Sequence, residues 1–207
     1  MSGTADHAVP RRARSDTPAL IPVVIGAGVL LGVVATAGAT VFFARDRLHL
    51  ACSYSEGWAC ADGISYLGIG AALGGMPTLL AIIGAIVSFT VRRTRPAAVT
   101  LVLLATGAAA WPLALTWTSA GQITGAPASL SAWMSAVLPP AIIAVVSLVA
   151  SIIGLAVHGR AASTLLFVGA GGLCVAAVVQ PGLGVGLPAA AGMLAAAGWR
   201  IADAALT

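Results

Sequence analysis

The chain has 207 residues, of which only 8% are charged and 59% hydrophobic. A water-soluble domain carries about 25% charged residues, because its surface must hold water; ten Arg and six Asp or Glu cannot coat a globule of this length. Together with a mean hydropathy of +1.03, this excludes an ordinary soluble domain and points to a lipid bilayer as solvent, where each crossing helix needs about 20 apolar residues.

The basic pI of about 9.6 does not indicate nucleic-acid binding. All ten basic residues are Arg, and apart from Arg11, Arg12 and Arg14 they sit at the ends of apolar runs, which is the positive-inside pattern of membrane proteins. Arg in place of Lys, with a heavy Ala and Gly load, suggests a GC-rich bacterial source.

In chain order, residues 1–18 are polar and read as a disordered cytoplasmic tail. Residues 19–44 follow without a charge, long enough to span with some tilt. Ala35-Thr36-Ala37 resembles a signal cleavage site, but a signal's apolar region is only about 7 to 15 residues long, and Val41, Phe42 and Phe43 continue past it. A retained anchor is expected. Residues 45–62 form a polar extracytoplasmic loop. A second span covers 63–91, kinked at Pro77, whose ring frees the carbonyl four residues back. Arg92, Arg93 and Arg95 end it.

From Pro96 to Gly159 there are 64 residues with no formal charge, too many for one helix. The stretch from Ser119 to Ser131 is rich in turn formers and hydroxyls. It divides this run into spans near 97–118 and 133–157. After Arg160 come 39 further uncharged residues, with Gln180-Pro181-Gly182 as a turn in their middle. Two short spans, 161–179 and 183–199, are predicted, the alternative being a re-entrant helical hairpin.

Arginine placement orients the chain. With the N-terminus inside, Arg11, Arg12, Arg14, Arg92, Arg93, Arg95, Arg160 and Arg200 are cytoplasmic and only Arg45 and Arg47 lie outside. The reverse orientation inverts that ratio, against the usual bias. Trp58, Tyr66, Trp117 and Trp133 then fall at the outer interface and Trp199 at the inner one, where amphipathic rings prefer to sit. Both termini are expected in the cytoplasm.

The outer loop holds Cys52 and Cys60, and an oxidising compartment makes a disulfide the expectation. Five of the chain's charges lie in the same loop. A metal site from His49, Cys52, Cys60 and Asp62 has suitable ligand types, but its Cys-x7-Cys spacing is wider than that of structural zinc sites. Dithiol exchange is disfavoured by the lack of Cys-x-x-Cys. Cys174, inside the fifth span, reads as a small packing residue.

No Asp, Glu, Lys, Arg or His falls in the middle of a predicted span. Such groups cost at least about 2.5 kcal/mol in the bilayer and mark proton relays and voltage sensors, so neither is expected. Hydroxyls at Thr36, Thr40, Ser88, Thr106, Ser147 and Ser151 are candidates for a solute or Na⁺ site, against the simpler expectation that they bond their own helices. Gly28 with Gly32, and Gly70 with Gly74, have the spacing that lets helix backbones approach closely. No hydrolase, metalloprotease or phosphate-loop motif occurs, and no cofactor is expected.

The sequence therefore predicts an all-α fold: a polytopic transmembrane bundle of about six spans over residues 19–200, or four spans plus a re-entrant hairpin. Its partners are the lipid bilayer and other membrane subunits. Two roles are open. One is a non-enzymatic accessory or interaction subunit of the bacterial plasma membrane; the other is a small transport protein or permease subunit with a pathway kinked at Pro77, Pro112, Pro139 and Pro140.

Overall fold

The structure is a computed structural model describing residues 17–49, 52–54, 58–60, 63–121 and 129–205. The tail with Arg11, Arg12 and Arg14 lies outside the described residues, as do Asp62 and the segment 122–128.

Six helices follow one another: α1 (Thr17–Phe42), α2 (Gly63–Thr90), α3 (Thr94–Gly121), α4 (Ser129–Ala156), α5 (Arg160–Val179) and α6 (Gly186–Ala204). A π-helical turn, Phe43–Arg47, extends α1. An antiparallel hairpin of two three-residue strands, β1 (Cys52–Tyr54) and β2 (Trp58–Cys60), fills part of the polar loop. The apolar runs become helices because a backbone in hydrocarbon must satisfy its own N–H and C=O groups, and a helix does so within one segment. Pro77, Pro112, Pro139 and Pro140 are all inside helices that run through them.

Four helices are long and apolar enough to cross a membrane: α2 from Gly68, α3, α4 from Trp133, and α5. The surface agrees. Along α4 the side chains of Ile142, Val145, Val146, Val149, Ile152 and Ile153 are all exposed, one stripe at helical spacing. The opposite face presents Val137, Ala144, Ser147 and Ser151, all buried. Large apolar groups thus point outward while small and hydroxylated ones point inward. Water does not tolerate an apolar patch of that extent; lipid does. These features are those of a multi-pass, membrane-embedded protein.

The helix at the centre is α6, packed against α1, α2, α3 and α5. Eleven of its residues are buried, and most of them are Ala or Gly. The helix with the least lipid contact is free to have the smallest side chains, since close backbone approach is the main adhesive between membrane helices. A β-carbon built on Gly28 would lie 3.1 Å from the Pro188 carbonyl oxygen and 3.4 Å from the Gly192 α-carbon; one on Gly32 would lie 2.9 Å from the Pro188 ring. At the start of α6, a β-carbon on Gly186 would come within 2.6 Å of the Ala108 carbonyl oxygen, the group that Pro112 leaves without a helical partner.

The second tight seam joins α4 and α5. Gly169 lies against Ser147 and Ser151, Gly172 against Ser147, and a β-carbon on Gly154 would meet the Ala162 carbonyl oxygen at 3.1 Å. Between α5 and α6 the expected turn is a 3-10 turn, Pro181–Leu183, followed by Gly184 at φ +75°. That positive φ is a conformation glycine adopts at no steric cost. It ends the turn and delays the helix to Gly186, three residues later than the sequence reading placed it.

Candidate functional site

At one end of the bundle the ends of α1, α3 and α5 meet the beginnings of α2, α4 and α6. The non-helical structure is concentrated here. The π turn is closed by the Leu48 N–H on the Phe43 carbonyl at 3.1 Å, and it buries Phe43 against Gly182, whose lack of a side chain admits the ring. His49 then takes a left-handed conformation, φ 49°, and its carbonyl accepts the Cys52 N–H at 3.2 Å. This reverses the chain into the hairpin. The register places Cys52 opposite Cys60, Ser53 opposite Ala59 and Tyr54 opposite Trp58. The Cys52 sulfur also lies 3.7 Å from the hydroxyl of Tyr66, a buried residue of α2, which ties the hairpin to the bundle.

Below Tyr66 a groove of about 560 Å³ opens between α1, α2 and the turn before α6. Gly70 and Gly74 line it, with Thr40, Thr78 and Val185. The two glycine pairs therefore differ in surroundings: Gly28 and Gly32 meet α6 closely, whereas Gly70 has no neighbour within 4 Å of a built β-carbon and Gly74 meets only Val185, at 3.7 Å.

The candidate hydroxyls bond their own helices. Ser88 donates to the Gly84 carbonyl at 2.8 Å, Thr106 to Val102 at 2.8 Å, Ser147 to Ile143 at 2.7 Å and Ser151 to Ser147 at 2.8 Å. Thr40 is buried and lines the groove; the side chain of Thr36 lies outside what is described. Among the described residues no three metal-ligating side chains cluster.

No protein-family model, curated protein or solved structure matches the chain.

Two polar contacts at this end had no forecast from composition. The Gln180 side chain donates to the Ala136 carbonyl at 3.2 Å. Trp133 donates its indole N–H to the Thr116 hydroxyl at 3.1 Å, Thr116 in turn donates to the Pro112 carbonyl at 2.7 Å, and the Trp133 ring meets Trp117 edge-on, centroids 4.7 Å apart. The second contact clips α3 to α4.

At the opposite end, arginines hold helix termini together. Arg95 reaches the Leu155 carbonyl at 3.5 Å and the His158 ring at 3.3 Å, joining the start of α3 to the end of α4. Arg200 donates to the Val91 carbonyl at 2.8 Å, joining α6 to the end of α2. The last carbonyls of a helix have no intrahelical donor, and a cation there also complements the helix dipole. Arg92, Arg93 and Arg160 are exposed at the same end.

Proposed function

We propose that the chain is a six-span protein of a bacterial plasma membrane, with both termini in the cytoplasm, acting as a non-enzymatic accessory or interaction subunit. The supporting observation is the filled centre: α6 occupies the axis, its buried face is mostly Ala and Gly, and the hydroxyls Ser88, Thr106, Ser147 and Ser151 are turned onto their own carbonyls. A solute pathway needs polar groups directed at a water-filled space; these are directed at backbone. Recognition then falls to outer faces and to the hairpin. A Cys52–Cys60 disulfide would set the hairpin's shape. Directly opposed residues of antiparallel strands have α-carbons about 4.5 or 5.5 Å apart, both inside the roughly 4.4–6.8 Å range a disulfide spans.

The test is affinity purification in mild detergent from the native membrane, with identification of co-purifying chains. A defined membrane partner at stoichiometric yield is expected. Recovery of the chain alone, from detergents that preserve known complexes of the same membrane, would sink the accessory reading. The transport reading rests on the groove beside Pro77 and gains if purified chain in liposomes passes a small solute.

A further inference from the structure

A second hollow, of about 470 Å³, lies on another side of the π turn, between the ends of α1 and α5 and the second turn of α4. Its polar lining is Arg47, Gln180 and Ser135; its apolar walls include Phe42, Pro139 and Val179. Three observations bear on what it takes.

The first is charge. Arg45 and Asp46 approach to 3.8 Å; among the described residues Arg47 has no acidic partner and no carboxylate lines the hollow. The second is donor geometry. One N–H of the Gln180 amide is on the Ala136 carbonyl; an amide nitrogen carries two, so one remains for an acceptor in the hollow that Arg47 also lines. The third is spacing. Ala39, Phe43 and Arg47 stand four residues apart on one face of α1 and its terminal π turn, and all three line the hollow.

Positive charge and spare donors without a carboxylate suit an oxyanion and give an ammonium nothing to pair with. Phe42 and Val179 are exposed apolar side chains; Val179 ends α5, a helix long and apolar enough to cross a membrane, which puts the hollow where headgroup and acyl chain would meet. We propose that this hollow seats the phosphate headgroup of an anionic phospholipid, held by Arg47 and the Gln180 amide, with the first methylenes of the lipid along Phe42, Pro139 and Val179. The proposal requires only that the chain sit in a bilayer and is independent of the accessory role.

The full chain in a neutral detergent is titrated with phosphatidylglycerol, with phosphatidylcholine of the same acyl chains, and with inorganic phosphate, and retained adducts are weighed by native mass spectrometry. Phosphatidylglycerol is expected to be retained about fivefold better than phosphatidylcholine, the factor expected for one interfacial cation. Arg47→Gln abolishes that preference, Arg45→Gln leaves it, and Arg47→Lys keeps most of it, which separates lost charge from lost fold. Ala39→Trp, filling the hollow, releases the lipid. Equal retention of the two lipids, or an undiminished preference in Arg47→Gln, overturns the proposal. Displacement of the lipid by millimolar inorganic phosphate assigns the hollow to a free oxyanion and overturns the lipid assignment.

Discussion

Gln180 donates its side-chain amide to the carbonyl of Ala136, 3.2 Å away on another helix. Ala136 precedes Pro140 by four positions, so the proline ring has removed the N–H that this carbonyl would meet in an unbroken helix. A residue at the end of α5 thus supplies what the sequence of α4 omits.

Replacing Gln180 with Leu leaves the Ala136 carbonyl with no donor from either helix. The bond is part-buried, and the expected loss is about 0.5–1.5 kcal/mol, the net worth of a typical hydrogen bond, read as a lower unfolding midpoint in detergent. Adding Pro140→Ala restores an N–H to α4 and should recover much of the loss. A double variant no better than Gln180→Leu alone would show that the amide acts otherwise.

The α4–α5 seam should be intolerant of bulk. Gly169→Val drives a side chain into Ser147 and Ser151, with an expected cost of about 1–3 kcal/mol or more from overpacking. Gly70→Ala, with open space around it, should stay within about 0.5 kcal/mol of the parent. Midpoints of unfolding in a graded sodium dodecyl sulfate titration compare the two; equal sensitivity would contradict the packing.

Cysteine counting settles the hairpin. Denatured, unreduced chain from intact cells should take up one thiol reagent per molecule, at Cys174, and reduced chain three. Cys60→Ser should raise the unreduced count to two. Three reactive thiols without reduction would rule the disulfide out.

Topology is open to reporter fusions. Fusions after Arg95 and after Ala205 should read cytoplasmic, and one after Gly121 extracytoplasmic. If the fusion after Ala205 reads outside, α5 and α6 do not both cross.

Much of the helix plan was legible because charge is the scarce quantity in this chain: Arg92 and Arg93 fall between α2 and α3, and Arg160 opens α5. Four expected span boundaries lie within a few residues of the helix ends for that reason. The central place of α6 was not legible. Its Ala and Gly content lowers its hydropathy, which reads as a poorer span, whereas the same residues make it the best-packed helix. The hairpin escaped notice because two strands of three residues are too short to show a period-two pattern. Gly28, Gly32, Gly70 and Gly74 share one spacing, and spacing alone does not say which helix faces which partner. Nor did the pairing of Gln180 with Ala136 leave a local trace; the proline announced a vacant acceptor, and only the folded arrangement names the donor.

The axial position of α6 carries a consequence for biogenesis. On the six-span proposal α6 follows the five helices described before it, so those five would reach the bilayer around a seat that is still empty. Until α6 joined them, α1 and α3 would lack the surface on which they close, and the small residues reserved for it would face lipid. An interruption before Gly186 would then leave a ring with no hub.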